Sequence, residues 1–416
     1  MNDNRKKILL FDCWTKGLIH IFRLLPFLKK LNIEFNLLHT GSWGDEKGRP
    51  IEEDINGIKV FDIKKYKTFN DALDKINPDL VLFLSLDPIA HRAFNRICQF
   101  RSIKTILVYH GLHSVFNSLS AAGKTQANYI RYLMQRLKSG VIKNIHAYVK
   151  TLFETSVSFQ DLIKLLCDIV YKLLGREIKI SRNDGTPDHI CIFNEFDESH
   201  ARNKYPTCKK FYRTGLFDIE KFQGLEEKIY AEHQTGSKKK IIYIGTGLRS
   251  TNMLSADHTE YFRYLCNIQD YFSPLFEVGF KLHYSRLNKI NSIASRERVS
   301  FKFINDNEFI DYVTSSAFGI CEPSSASLIP ALLSKPIFLP AFDIYKDLKF
   351  GPAILEYPGA FYIQDIENIL EIFSSFDYDV YKKDIYNWKV KCVGPPPITN
   401  TSKNLANTFN RVLNNE

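Results

Sequence analysis

A glutamate and three serines follow a strongly apolar run in the segment Glu322-Pro323-Ser324-Ser325-Ala326-Ser327. Serine hydroxyls at the start of a helix, together with its free backbone N–H groups, can bind a phosphate. The carboxylate of Glu322 can accept hydrogen bonds from ribose hydroxyls. The segment therefore predicts nucleotide contacts from Glu322 and from the three serines. The alternative is an ordinary strand–turn–helix connection in which the serines only cap the helix.

A second group of polar side chains, Lys281, His283 and Arg286, follows the apolar residues of an earlier strand-like run. Imidazole and guanidinium groups are suitable phosphate partners, and the lysine adds positive charge. We therefore predict that all three contact a bound phosphate. The alternative is a histidine at a strand end that is held by local hydrogen bonds.

The segment Gly245-Thr246-Gly247-Leu248-Arg249-Ser250 directly follows the strand-like run KIIYI. It is neither a dinucleotide-binding fingerprint, because Ser250 stands at the third glycine position, nor a P-loop. A glycine turn nevertheless allows the backbone to approach a ligand closely. Gly245, Gly247 and Arg249 are therefore predicted ligand contacts, and a simple turn is the alternative.

Three further side chains at predicted element ends could act as a general base or a nucleophile: His110, Glu195 and Asp257. A histidine or carboxylate near a hydroxyl can remove its proton, and a carboxylate can also attack an electrophilic carbon. The sequence does not choose among the three. A surface position without catalytic role is the alternative for each.

Strand-like runs alternate with helical patterns along most of the chain, which predicts βαβ units and parallel sheets. We predict an α/β architecture of two Rossmann-like domains facing a cleft, at 1–220 and 240–390. Residues 120–183 break the rhythm and predict a helical insertion in the first domain. The polar residues 219–239 suggest a linker. Residues 391–416 predict a C-terminal helix that could pack back on the first domain.

The chain carries 56 Lys and Arg against 46 Asp and Glu, a net charge of +10. Residues 124–182 hold eleven Lys and Arg but only four acids, so most of the excess lies in the helical insertion. A basic amphipathic helix predicts peripheral contact with an anionic membrane surface; a solvated face is the alternative. Nucleic acid is not an expected partner, because no RRM, OB or helix-turn-helix signature is visible.

Other classes of protein are disfavoured by the sequence. The eight cysteines are scattered singly without a CxxC pair, which predicts reduced thiols in a cytoplasmic protein and no zinc site. No run of apolar residues is long enough for a spanning helix. The first residues, MNDNRKKILLFDCW, lead into a strand pattern and do not resemble a secretory signal.

The order of elements resembles the plan of GT-B glycosyltransferases, and two segments carry a more specific resemblance. In that family a Glu or Ser-rich turn precedes "EALxxGKPVI"; here Ile329–Leu333 stands in that region without the usual second Glu. His283 and the pair Ser324-Ser325 resemble the HP and SS motifs of bacterial sialyltransferases and related CMP-sugar enzymes. Tyr284 stands where those enzymes carry Pro. The resemblance implies that His283 and the serine pair contact the phosphate and cytidine of CMP.

The resemblance further implies a metal-independent glycosyltransferase whose ligand is a nucleotide-sugar donor and which needs no separate cofactor. The expected donor is a CMP-activated acidic sugar, such as Kdo or sialic acid. The expected acceptor is a glycan or lipid-linked glycan of lipopolysaccharide or capsule, met at the cytoplasmic membrane face. Open alternatives are UDP- or GDP-sugar enzymes, CDP-polyol-phosphate transferases of wall teichoic acid synthesis, and a non-catalytic two-domain binding protein.

Overall fold

Alternating buried strands and helices build two separate sheets in this computed structural model. The structure describes residues 5–28, 31–43, 46, 48–109, 141–155, 160, 163, 167, 186–208, 210–216, 219, 222, 224–231, 240–246, 258–341, 350–396, 398 and 401–414.

The described strands follow one another in this order: β1 (Lys6–Asp12), β2 (Ile33–His39), β3 (Glu52–Ile55), β4 (Ile58–Asp62), β5 (Leu80–Phe83), β6 (Lys104–Val108), β7 (His189–Ile192), β8 (Lys210–Arg213), β9 (Lys240–Ile244), β10 (Glu277–Lys281), β11 (Lys302–Phe303), β12 (Ser316–Cys321), β13 (Ile337–Pro340) and β14 (Ala360–Ile363).

The described helices are α1 (Trp14–Leu28), α2 (Phe69–Ile76), α3 (Ile89–Phe100), α4 (Val141–Glu154), α5 (Glu195–Lys204), α6 (Leu225–Ile229), α7 (His258–Phe272), α8 (Tyr284–Glu297), α9 (Phe309–Ser315), α10 (Leu328–Leu332), α11 (Pro352–Leu355), α12 (Asn368–Ser375), α13 (Tyr378–Val393) and α14 (Thr401–Asn414). Within this part of the chain, none of them combines the length and apolar character needed to cross a membrane.

The first unit contains the described residues up to 215 together with α14. Its eight strands lie in the order β3-β4-β2-β1-β5-β6-β7-β8, and only the β3–β4 pair is antiparallel. Ile8 to Phe11 of the central strand β1 are completely buried, as expected where helices cover both faces of a parallel sheet. The helix α14 packs against α1, and Lys104 on β6 donates a hydrogen bond to the carbonyl of Val412.

Of the predicted helical insertion, the structure describes α4 and a few single positions that follow it; the rest of 120–183 lies outside the described residues. The helix α4 packs against α3 in the first unit. Tyr148 and Leu152, one helical turn apart, are buried apolar residues of this helix. The helix α4 therefore buries one face within the unit, and its basic residues Lys143 and Lys150 are exposed.

The second unit contains the described residues from 216 to 398 and has a fully parallel sheet in the order β11-β10-β9-β12-β13-β14. Counted from β9, this is the 3-2-1-4-5-6 order of the doubly wound Rossmann fold. The direction of winding reverses between β9 and β12. Ligands of such sheets bind at this switch point, outside the carboxyl ends of the strands.

Part of the segment predicted as a linker is packed structure of the second unit. Leu225 and Ile229 of α6 are completely buried, and the Ile229 carbonyl accepts a hydrogen bond from Lys389 at 2.6 Å. Two apolar residues one helical turn apart give this otherwise polar stretch a face to bury. Residues 232–239, the other end of the segment, lie outside the described residues.

Candidate functional site

The carboxyl ends of three neighbouring strands are joined at the switch point of the second unit. The backbone N–H of Gly245, just after β9, donates to the carbonyl of Lys281 at the end of β10 at 2.9 Å. On the other side, the N–H of Glu322 donates to the carbonyl of Ile244 at 2.9 Å. The structure therefore joins the described parts of the three segments that the sequence singled out in this half of the chain.

Glu322 is completely buried at the centre of this arrangement. Its Oε1 atom accepts hydrogen bonds from the hydroxyls of Tyr243 and Tyr261, the second at 2.8 Å. Its Oε2 atom accepts the backbone N–H of Thr246 at 2.9 Å. Both carboxylate oxygens are thus engaged inside the protein, which differs from the predicted contact to a ribose. Glu322 instead ties the turn after β9 to the end of β12.

Arg286 lies beside Glu322 and is exposed by only 2%. Its Nη1 atom is 3.4 Å from Glu322 Oε2, and its guanidinium lies 4.3 Å from the centre of the Tyr261 ring. Burial and the charge of Glu322 raise the pKa of Tyr261 well above its ordinary value. Arg286, predicted to contact a phosphate, therefore lies against the buried carboxylate of Glu322 and has a structural role at the candidate site.

His283 lies two residues after the end of β10 and directly before the first residue of α8, so it stands at the carboxyl end of a strand. Its carbonyl accepts the N–H groups of Arg286 and Leu287 at 2.9 and 3.1 Å, the first bonds of the helix. Its ring is half-buried, and burial followed by the charge of Arg286 lowers its pKa below the ordinary value of 6.5. A largely neutral imidazole therefore stands at the N-terminus of a 14-residue helix, an end that favours anions.

The serines after β12 divide into two kinds. Ser324 and Ser325 are partly exposed, and Ser324 Oγ accepts the N–H of Ala326 at 3.2 Å, which leaves its hydroxyl proton available for a ligand. Ser327 is completely buried and donates its hydroxyl to the Glu322 carbonyl at 2.5 Å. Ser327 therefore has a structural role in place of the predicted ligand contact. The turn continues into a short 3₁₀ segment and α10, so the long helix of the site is α8.

Gly245 has a packing reason for its lack of a side chain. A Cβ atom at this position would lie 2.6 Å from the Tyr261 hydroxyl and 3.0 Å from Leu282 Cδ2. Glycine at this position therefore allows the backbone to pack against Tyr261, one of the residues that bond Glu322. Gly247 and Arg249, the other predicted contacts of this turn, lie outside the described residues.

Lys281 is half of a surface ion pair. Its Nζ atom lies 2.5 Å from Asp306 Oδ1, which neutralises the charge that was predicted to face a phosphate. Among the described residues, no three His, Cys, Asp or Glu side chains form a group that could hold a metal ion.

Of the three predicted bases or nucleophiles, the structure describes Glu195. It is the first residue of α5, after β7 of the first unit, and its carboxylate is half-exposed and 3.5 Å from Arg213 Nη1. Asn194 caps this helix by accepting the N–H of Asp197 at 2.9 Å. His110 and Asp257 lie outside the described residues.

Sequence reasoning missed the two tyrosines that hold Glu322. Tyr243 is the fourth residue of the strand-like run KIIYI and Tyr261 lies in the helical pattern of α7, so both read as ordinary core residues. A buried tyrosine hydroxyl needs a hydrogen-bond partner, and a carboxylate in an otherwise apolar segment needs donors. That pairing rule is the signal that could have connected them.

No protein-family model matches this sequence, and no curated protein matches it significantly. Solved structures do resemble it. CalG4, the calicheamicin glycosyltransferase, superposes with a TM-score of 0.54 at 11% identity, covering 99% of both chains. The wall teichoic acid polymerase TagF gives 0.52 at 11% identity, covering 99% of this chain and 90% of the polymerase. A variant of TagF soaked with CDPG gives 0.50 at 12% identity, covering 100% and 91%. The chain therefore has the GT-B fold that its order of elements predicted.

Proposed function

We propose that the protein is a glycosyltransferase whose second unit binds the nucleotide of an activated donor at its switch point. One observation carries this proposal: partly exposed Ser324 and Ser325 follow β12, and His283 directly precedes α8 after β10, on either side of the β9 turn. The strands β10 and β12 are two sheet spacings apart, or about 10 Å, a distance that a nucleotide and its phosphate can span.

The internal network behind these groups supports the proposal. Glu322 and Arg286 compensate each other's charge, so they hold the turn and the helix start in place without repelling or capturing a ligand. Hydrogen-bond donors fixed in this way cost little reorganisation when negative charge develops on a departing phosphate. His283 and the serine hydroxyls would supply those donors.

The preferred donor is a CMP-activated acidic sugar of the Kdo or sialic acid type. The histidine followed by a serine pair supports this choice, because the same combination resembles the motifs of enzymes that use CMP-sugars. The acceptor hydroxyl needs a base, for which His110, Glu195 and Asp257 remain the candidates. The acceptor would be a bacterial surface glycan of lipopolysaccharide or capsule, met at the cytoplasmic membrane face.

A second candidate function is transfer of a polyol phosphate from a CDP-linked donor. It is favoured by the fold shared with the wall teichoic acid polymerase that was soaked with CDPG. UDP- or GDP-sugar transfer and a non-catalytic two-domain binding protein are further alternatives. The first two candidates share cytidine, so the identity of the nucleotide is the first point to measure.

Thermal unfolding in the presence of CMP, CDP, UDP and GDP tests the proposal. Ligand at about a hundred times its Kd should raise the Tm by roughly 5–10 °C, since it adds about 2.7 kcal/mol to a unit of this size. We expect CMP or CDP to act and His283→Ala to abolish the shift without changing the Tm of the free protein strongly. A protein whose Tm responds to none of the four nucleotides would refute the proposed donor site.

A further inference from the structure

The first unit contains a cavity of about 410 Å³ between α4 and the segment from Ile63 to Phe69. The helix contributes one face, with Lys143, His146 and Lys150 spaced by three and four residues so that they lie above one another. The volume falls within the usual range of small-molecule sites. The lining of the cavity therefore includes basic residues of the predicted helical insertion.

Positive charge dominates the polar side of this cavity. Lys64 and Lys67 on one wall face Lys143 and Lys150 on the other. The ammonium of Lys143 donates to the carbonyl of Ser42 at 3.3 Å, and that of Lys150 donates to the carbonyl of Lys67 at 3.2 Å. These contacts are with neutral oxygens and leave the charges uncompensated.

Within the described part of the chain, none of the four ammonium groups lies within 4.0 Å of a carboxylate oxygen. The backbone N–H groups of Lys64 and Lys67 do donate to Asp62 Oδ1 and Asp71 Oδ2, at 2.9 and 3.0 Å. The single carboxylate that lines the cavity belongs to Glu154, and its Oε2 atom accepts a hydrogen bond from Asn70 Nδ2 at 3.0 Å. Four cations around one cavity repel each other, and an anion placed among them relieves that repulsion. The charge arrangement therefore calls for an anionic ligand.

The other side of the cavity is apolar. Ile63, Tyr66 and Phe69 are buried side chains of this wall, and the partly exposed ring of Trp43 lies 6.1 Å from the ring of Phe69. A bare inorganic anion would leave this wall in contact with water. A neutral carbohydrate would leave the lysines without a counter-charge. An organic phosphate satisfies both sides.

We propose that this cavity binds the phosphate of an organic phosphate ester, with the lysines around the phosphate and the organic part against Trp43. The identification of this ester as the acceptor rests on the proposed function, and it would mean that the acceptor carries a phosphate. A soluble ester and a lipid headgroup offer the same chemistry, so the source of the phosphate is decided by experiment.

The test measures binding to the full-length protein with two probes. The soluble probe is glycerol 3-phosphate, followed by titration calorimetry, and the lipid probe is a vesicle of equimolar phosphatidylglycerol and phosphatidylcholine, followed by cosedimentation against pure phosphatidylcholine. Lys143→Ala/Lys150→Ala should weaken binding about tenfold or more, since two of four charges are lost. Lys143→Arg/Lys150→Arg should bind as wild type. Both lysines are exposed, so the fold should persist, as circular dichroism can check.

The matched control is Lys382→Ala/Lys383→Ala, an exposed lysine pair on α13 of the second unit, which should leave binding unchanged. If Lys143→Ala/Lys150→Ala loses binding of glycerol 3-phosphate but still binds vesicles, the ligand is a soluble ester. If it loses vesicle binding but still binds glycerol 3-phosphate, the ligand is a lipid phosphate. Wild-type protein that binds neither probe, or a cavity variant that binds both as tightly as wild type, overturns the inference. Nucleotide-induced Tm shifts on the same variants keep this outcome separate from the proposed donor site.

Discussion

The Nη1 atom of Arg286 lies 3.4 Å from the Oε2 atom of Glu322, and both side chains are buried. Arg286 belongs to the first turn of α8, which His283 directly precedes, and Glu322 follows β12 shortly before the partly exposed serines. This ion pair therefore fixes the distance between the two sides of the candidate site. Glu322 and Arg286, predicted from the sequence as nucleotide contacts, are instead bonded to each other behind His283 and the serine pair.

Glu322→Ala should destabilise the second unit by about 3–5 kcal/mol, because it leaves the charge of Arg286 buried without its partner. Urea denaturation measures this loss. Glu322→Gln/Arg286→Met, which removes both charges, should be less destabilised than Glu322→Ala. Glu367→Ala, at an exposed carboxylate, is the control and should change stability by about 0.5 kcal/mol or less. A cost of Glu322→Ala similar to that control would contradict the role assigned to the pair.

The affinity for the nucleotide should rise as the pH falls from about 8 towards 6. In the free protein, burial followed by the charge of Arg286 lowers the pKa of His283 below its ordinary value of 6.5, which favours the neutral imidazole. A bound phosphate stabilises the imidazolium and raises that pKa, so binding takes up a proton. Titration calorimetry across this pH range measures the dependence, and His283→Asn should remove it. A slope that survives the substitution would assign the proton to another group.

Alanine substitutions of the three serines in this turn should affect different properties, nucleotide binding in one case and stability in the other. Ser324→Ala/Ser325→Ala should weaken nucleotide binding while the free protein unfolds normally, because these hydroxyls are partly exposed. Ser327→Ala should instead lower the stability by about 1 kcal/mol, since its buried hydroxyl bonds the Glu322 carbonyl. Calorimetry and urea denaturation of each variant measure the two effects. Ser374→Ala/Ser375→Ala, an exposed serine pair at the end of α12, is the matched control.

Gly245→Ala should destabilise the second unit by about 1–3 kcal/mol, as expected for overpacking, because the new methyl group would lie 2.6 Å from the Tyr261 hydroxyl. Tyr261→Phe removes the hydroxyl oxygen that the new methyl group would contact. The double variant should therefore lose less stability than the sum of the losses in the two single variants. Denaturation of the two single variants and the double variant forms the required cycle. Full additivity would mean that the methyl group is accommodated elsewhere.

The sequence was sufficient to predict the α/β architecture with two Rossmann-like domains, since buried parallel strands are continuous apolar runs that end in turns. It was insufficient for β14, where the exposed Tyr362 and partly exposed neighbours weaken the apolar signal of an edge strand. Residue type alone also did not separate the exposed candidates from the buried supports. Ser327 differs from Ser324 in its burial and in its bond to the Glu322 carbonyl, and Glu322 is held by tertiary contacts with the turn after β9 and with α7.

Lys389 gives the second unit a measurable dependence of stability on pH. It is 4% exposed, and its ammonium donates to the carbonyl of Ile229 and to Ser334 Oγ, both at 2.6 Å. Burial lowers its pKa from 10.5 to about 8. Between these values the unfolded chain holds a proton that the folded protein has lost, so stability should rise with pH through this window. Below pH 8 both states are protonated and the contribution is constant.

The readout is the difference in the free energy of unfolding between wild type and Lys389→Met, measured by urea denaturation at a series of pH values. The substitution removes two hydrogen bonds and shifts the whole curve, but only loss of the ammonium removes the slope between pH 8 and 10.5. Burial raises the pKa of the neighbouring Tyr230 to about 12. Above pH 10 the unfolded chain therefore loses a tyrosine proton that the folded protein keeps, and stability falls. The free energies of unfolding of the two proteins are for this reason best compared below pH 10. Lys391→Met, at an exposed lysine of the same helix, should keep the wild-type slope; an equal slope in Lys389→Met would show that the buried ammonium stays protonated.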